Sequence, residues 1–396
     1  RPPHRADLVY AQGIGQACIC LLAALLLAGC TYSDSLRVNE IRSVWGPSGH
    51  KPVPVPVFYA TDREPDGAGG FSLHWGGVPR CGSANVAVTD ALSPPTPDPT
   101  LVPIACDGEA AMKAFAGEVA AAARARHCNR VLLIVHGYNV SFRSALLHGA
   151  QNARDTQWHC ATLLLNWSSE AKFNRYVADV ARSGYAVPLL AALLRNLKAQ
   201  GMEAEILSHS LGARIALIAT DSLCRDREVS VGEFILTAAD ISVEKDNDDF
   251  GKLLDRAKPC TRRFTIYASR NDLALILSEN VHGGIPRAGL VPGYDMRYAG
   301  PQVDVVDATD APADEAGHAY FIFSYEMAKD IMWLLSGASM AERAAPDGPH
   351  TLDCRDWQDS LCAAGGGRYS LRVARSRRPD FTTTLLRDIL PITPVQ

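Results

Sequence analysis

Ile206-Leu207-Ser208-His209-Ser210-Leu211-Gly212, continued by Ala213-Arg214-Ile215-Ala216-Leu217, is the stretch that decides the fold. An apolar strand-like run enters a Ser-His-Ser-Leu-Gly turn, and a helical pattern leaves it. A serine on so tight a strand-to-helix turn has the form of a nucleophile elbow, in which the hydroxyl stands clear of the sheet and the next backbone N–H faces the reacting group. The positions two before and two after that serine must be small. Gly212 meets the second requirement, and Ser208 replaces the usual glycine at the first. The alternative reading of Ser210 is an ordinary helix N-cap.

Working outward, buried-strand runs alternate with helical patterns. Before the elbow come a helix over 110–127, the strand Arg130–Val135, a helix over 142–155, the strand Ala161–Leu165 and a long, partly broken helical region over 169–199. After it come a helix over 212–224, the strand Phe234–Ala238, a helix near 248–257, the strand Phe264–Ala268, a last strand Val303–Val306 and a helix over 320–335. This spacing specifies an α/β fold with a mainly parallel sheet covered by helices on both faces. Ligands in such folds bind beyond the carboxyl ends of the strands. At the front, Val57–Arg63 reads as a first strand with further strands near 71–75 and 85–89, and the proline-rich stretch 91–103 reads as loop.

Polar residues fall at those strand ends. His136-Gly137-Tyr138-Asn139 follows the strand ending at Val135, where α/β-hydrolases carry a turn that supplies one oxyanion donor. The backbone N–H groups of Tyr138 and Leu211 are the expected pair. Ser210 needs a base and the base needs an orienting carboxylate, in the chain order Ser, acid, His. Asp272 is the favoured acid, two strands after the elbow, and Asp240 is the alternative; otherwise Asp240 is a helix cap or a supporting group. His318, between the last strand and the last helix, is the expected base. His282 is expected to shape a loop, and the side chain of His209 to point away from the hydroxyl. Tyr176 and Asp179, one turn apart on a helix, either line the pocket or brace it.

The segments Phe58–Arg63, Val135–Asn139, Leu164–Ser169, His209–Gly212, Tyr267–Asp272, Arg287–Gly289 and Gly317-His318 together resemble a bacterial family of α/β-hydrolase proteins of largely unassigned function. The resemblance spans about residues 55–337 in order. It implies a serine-hydrolase-type fold and supports Ser210, Asp272 and His318 as the triad; no cofactor is expected. Two departures concern the shape of the pocket: Trp167-Ser168-Ser169 stands where Trp-Pro-Ser is common, and Leu211 where methionine is common.

The two ends and the cysteines place this domain in a cell. Residues 1–29 read as a targeting segment, with a weakly basic start and an apolar run from Ala17 to Ala28. Leu27-Ala28-Gly29-Cys30 resembles the lipobox of bacterial lipoproteins, which implies acylation of Cys30 and attachment to the membrane through that lipid. Thr31 after it suggests outer-membrane retention, facing the periplasm. The alternatives are a plain signal peptide or a short membrane anchor. Residues 30–56 read as a proline-containing tether, 57–337 as the hydrolase domain, and 338–396 as an extension of unknown role whose basic stretch, 368–378, is expected to be solvated, an anionic membrane surface being the alternative.

Of eleven cysteines, Cys18, Cys20 and Cys30 fall to the signal and the lipid. The rest would pair as neighbours: Cys81 with Cys106, Cys128 with Cys160, Cys224 with Cys260, and Cys354 with Cys362; reduced buried thiols are the alternative. No His/Cys spacing fits zinc, so no metal is expected. A net charge of −4 and a pI near 6.3 make no case for nucleic acid. The expected activity is hydrolysis of an ester or related acyl bond, on a small-molecule or lipid substrate, in the cell envelope. The competing class is a non-catalytic lipoprotein that keeps the scaffold for partner binding.

Overall fold

Strand β4 (Arg130–Val135) shows why this chain is layered. Its side chains alternate, with Val131, Leu133 and Val135 in one core cluster and Leu132 and Ile134 in the other. A run that is apolar at every position satisfies two helical layers at once, as buried parallel strands do. In the computed structural model the described residues are 52–88, 99–170, 175–244, 249–290, 298–314, 316–345, 347–349, 351–354 and 368–373. The targeting segment, Cys30 and the tether up to residue 51 lie outside them, as does Cys362.

The other strands are β1 (Val53–Pro65), β2 (Phe71–Val88), β3 (Thr100–Ile104), β5 (Ala161–Asn166), β6 (Glu203–His209), β7 (Val231–Thr237), β8 (Thr261–Ala268), β9 (Val303–Asp307), β10 (Leu352–Cys354) and β11 (Arg368–Leu371). They form one eleven-stranded sheet in the order β10-β11-β9-β8-β7-β6-β4-β5-β1-β2-β3. From β11 to β1 every neighbouring pair is parallel, and β2, β3 and β10 add antiparallel edges. This is the mainly parallel α/β sheet expected from the alternation.

One face is covered by α1 (Glu109–Arg124), α3 (Tyr176–Ala199), α4 (Leu211–Cys224) and α5 (Asp249–Ala257). The other carries α2 (Phe142–Asp155), α7 (Tyr320–Phe323), α8 (Tyr325–Leu335) and α9 (Met340–Ala344), and α6 (Leu273–Val281) follows β8. By length and composition α3 is apolar enough to cross a membrane. Its Leu189, Leu190, Leu193, Leu194 and Leu197 are packed in the core, so its composition reflects burial against the sheet and α4.

Several elements differ from the sequence reading. The two strands expected near 71–75 and 85–89 belong to one long strand, Phe71–Val88, and Thr100–Ile104, expected as loop, is the edge strand β3, where Pro103 costs no central ladder bond. The sheet starts at Val53, inside the expected tether, because Pro54 and Pro56 lie beyond the point where β5 begins to pair with β1. The helix expected over 320–335 is broken at Ser324, whose hydroxyl caps α8 through the Met327 N–H at 3.2 Å. Arg368–Leu371, expected as solvated extension, is β11, paired parallel to β9. Buried Tyr369 and Leu371 alternate behind the arginine and pack into the core, a signal that the neighbouring positive charge hides.

Disulfides join Cys81 to Cys106, Cys128 to Cys160 and Cys224 to Cys260. The last strands are tied on by a buried polar cluster. Asp330, on α8, accepts from the Tyr267 hydroxyl at 2.5 Å and from Thr351, and pairs with the Nε of fully buried Arg343 at 3.2 Å. Removing one member of a buried ion pair strands the other charge at a cost of about 3–5 kcal/mol, whereas removing both is far cheaper. Arg343→Met is therefore expected to lower the unfolding free energy measured in urea by that amount, with Arg343→Met/Asp330→Leu recovering part of it; equal stability of wild type and single variant would refute the role.

Candidate active site

The turn from β6 into α4 is made by one residue. Ser210 has φ 53° and ψ −123°, a strained conformation for a residue with a side chain. Three backbone bonds hold it: its N–H donates to Thr237 at 3.0 Å, and its carbonyl accepts from Ala213 at 3.0 Å and from Asp240 at 3.3 Å. A Cβ at Gly212 would lie 2.4 Å from the carbonyl oxygen of Val135, which is why that position must be glycine. Ser208 is tolerated where glycine is usual, since its hydroxyl donates to the Ile235 carbonyl at 3.1 Å on the neighbouring strand.

The turn after β4 lies directly against the elbow. A Cβ on Gly137 would be 2.9 Å from that of Ser210, so the Tyr138 backbone stands beside the nucleophile position as Leu211 does at the start of α4. Buried polar groups fix this turn from below. The His136 ring stacks on Trp167 with centroids 5.4 Å apart, and the Trp167 indole N–H donates to the His136 carbonyl at 2.7 Å. Burial, with help from the nearby Arg63 charge, pushes the His136 imidazole down to about 3, so it stays neutral. Asp179 accepts from the Ser169 hydroxyl at 2.7 Å and from the Glu170 N–H at 3.0 Å, which makes it a brace.

Asp272 ends the β8 segment and caps α6, with Oδ1 accepting the Leu275 N–H at 2.9 Å. Both of its oxygens lie 2.8–2.9 Å from Nδ1 of His318. Asp314 holds the His318 backbone N–H at 2.7 Å. Burial alone would lower the His318 pKa, but the Asp272 carboxylate and its hydrogen bond outweigh that and hold it above the ordinary histidine value. The Asp–His step is thus closed, while among the described residues no hydrogen bond joins the Ser210 hydroxyl to His318. Such bonds often tighten only when substrate binds.

His209 points away, with Nε2 3.2 Å from the His318 carbonyl and its ring stacked on Phe321 at 4.3 Å. His282 caps the end of α6 and bonds the Ser278 carbonyl through Nδ1 at 2.8 Å. Asp240, the alternative acid, is engaged elsewhere: it accepts from the Tyr176 and Ser278 hydroxyls, each at 2.7 Å. A cavity of about 80 Å³ adjoins the site, lined in part by Gly137, Tyr138, His148, His318 and Phe321.

Arg63 has a role that the sequence does not reveal. It is fully buried, donating to Asn166 Oδ1 at 3.0 Å and to the carbonyls of Ser169 at 2.9 Å, Val140 at 2.8 Å and Ser72 at 3.3 Å. Its position on the first strand, with Asn166 ending β5, was the available signal: a charge inside an otherwise buried run. A lysine keeps the charge but cannot reproduce the fork. Arg63→Lys is expected to cost about 2–4 kcal/mol of stability by urea unfolding; a loss below about 0.5 kcal/mol would contradict it.

The family model described as an alpha/beta hydrolase of unknown function (DUF900) matches residues 111–333, more than half of the chain. No curated protein shows a significant match. The matched span runs from α1 into α8 and contains the elbow, Asp240, Asp272 and His318; β1 to β3, with Arg63, fall before it. The chain therefore belongs to the DUF900 family of alpha/beta hydrolases, whose function is unknown.

Proposed function

We propose that this protein is a serine hydrolase that cleaves an ester or related acyl bond in the cell envelope. The observation that carries the reading is the buried carboxylate of Asp272 held 2.8 Å from Nδ1 of His318, beside a serine on a strained strand-to-helix turn. With Nδ1 so engaged, Nε2 is the nitrogen left to act as base. In the proposed cycle the Ser210 hydroxyl attacks the acyl carbon, giving its proton to His318, and the bond to the leaving group breaks as His318 returns that proton. Water activated at His318 then releases the acyl group. Asp272 keeps the ring oriented and stabilises the imidazolium. The N–H groups of Tyr138 and Leu211 receive the oxyanion, each worth about a hundredfold to a thousandfold in rate.

The proposed setting is the outer membrane, facing the periplasm, with Cys30 acylated. The three disulfides among the described residues support an oxidising compartment.

Purified protein is expected to hydrolyse short-chain 4-nitrophenyl esters and to be labelled by a fluorophosphonate. Ser210→Ala should lose both while retaining the wild-type circular dichroism spectrum; unchanged turnover in that variant would refute Ser210 as the nucleophile, and no reaction of the folded wild type would leave the binding-scaffold alternative instead. The pH profile supplies a second test. Catalysis needs neutral His318, so activity is lost as pH falls through its raised pKa, and the acid limb of kcat/KM is expected above the ordinary value of about 6.5. Asp272→Asn removes the charge that raises it, so the limb should move to lower pH while kcat falls by about 10⁴-fold. A limb that stays in place in Asp272→Asn would separate Asp272 from the base.

A further inference from the structure

Beyond the end of β7 lies a polar cluster that the proposed reaction does not use. The Asp240 backbone N–H donates to the Ser210 carbonyl, so this cluster is one residue removed from the nucleophile. The ring of Tyr176, which donates to Asp240, stands edge-on to the ring of Tyr138 with centroids 5.4 Å apart. A chain of contacts therefore runs from the proposed oxyanion turn, through Tyr176, to Asp240. Set into it is Arg287, its Nε 3.4 Å from Asp240 Oδ1 and its side chain only 6% exposed.

Arg287 is held in place. Its segment is strapped across the ends of β7 and β8 by the N–H groups of Val243 to Pro286, Ala288 to Ile241, Gly289 to Ala239 and Ser269 to Gly289, at 2.9–3.0 Å. Yet neither its Nε nor its Nη2 has a hydrogen-bond partner, although both are shielded from solvent. Both oxygens of Asp240 are already occupied by the Tyr176 and Ser278 hydroxyls. Arg63 has its guanidinium nitrogens matched to acceptors, whereas Arg343 also leaves Nε and Nη1 unmatched while pairing with Asp330; what sets Arg287 apart is its link through Asp240 and Tyr176 to the turn that holds Ser210. Idle donors on a buried cation are costly and call for an explanation, and a guanidinium with two free N–H directions fits a carboxylate or phosphate edge.

We infer that Arg287 receives an anionic group of the substrate, a carboxylate or a phosphate, carried within a few bonds of the acyl carbon on the Tyr176 side. Asp240 balances the guanidinium when no substrate is bound, and Tyr176 links that subsite to the oxyanion turn. The inference rests on the serine-hydrolase reading and narrows it to acidic acyl esters.

The test compares rates of covalent labelling of Ser210 by matched fluorophosphonates whose alkyl arm ends in methyl, carboxylate or phosphate, over a short series of arm lengths. Wild type, Arg287→Met and Arg287→Lys are used as full-length protein. At one or more lengths wild type is expected to react with an acidic probe about tenfold or more faster than with its neutral partner. That ratio should fall by about tenfold in Arg287→Met and recover in part in Arg287→Lys. The better of the two acidic probes identifies the anion. A neutral probe that is equal or faster at every length in wild type, or a ratio unchanged in Arg287→Met, overturns the inference and leaves Arg287 a bracing residue. The wild-type ratio decides alone if the variants do not fold. Failure of every probe to label wild-type Ser210 would instead refute the serine-hydrolase reading beneath it.

Discussion

The rest of the structure depends on a single-residue turn at Ser210. A strand in mid-sheet must leave as a helix without spending a loop, and the backbone can do so only in a left-handed conformation that costs about 1–3 kcal/mol for a residue with a side chain. That cost persists because the surroundings leave no other arrangement. Thr237, Ala213 and Asp240 bond the turn on three sides, and Gly212 lets α4 start against the carbonyl of Val135. The sheet supplies these neighbours through its parallel register, with Ser208 beside Val135 on one flank and Leu236 on the other. A slip in either pairing would remove both the strain and the reason for it.

Around this point several buried polar groups hold the turns. Arg63 and Asn166 link three segments: Asn166 donates to the Phe142 carbonyl at 2.9 Å, and Arg63 to Val140 and Ser169. Trp167 carries the His136 carbonyl, and Asp179 holds the loop at Ser169 and Glu170. The consequence is that the turn after β4, the proposed oxyanion turn, has its position set by groups on other elements and not by the turn itself. Preorganised donors of this kind cost no rearrangement when charge develops.

What was legible in the sequence follows from locality. The elbow is a contiguous pattern, and strand ends can be counted, so Ser210 and His318 follow from order, and the acid is narrowed to two strand-end aspartates. Two candidate acids were separable only in space: Asp240 and Asp272 both follow strands, but only Asp272 meets His318. Arg63 was visible as a charge in a buried run, yet its partners lie about a hundred residues away for Asn166 and Ser169. The edge strand β11 was concealed for a different reason. Its alternation of Tyr369 and Leu371 spans four residues beside a run of arginines, and composition over the wider window outweighed it. The Asp330 to Arg343 pair carried no local signal at all.

The account joins a strained serine, a closed Asp272–His318 pair and two backbone N–H groups into one acyl-transfer site. The most direct check is a crystal structure of the protein after reaction with a fluorophosphonate. The account predicts a phosphorus bonded to the Ser210 hydroxyl oxygen, its double-bonded oxygen within hydrogen-bond reach of the Tyr138 and Leu211 N–H groups, and Nε2 of His318 facing the Ser210 oxygen. A phosphonyl group on another residue, or on Ser210 with that oxygen turned to solvent, would contradict it.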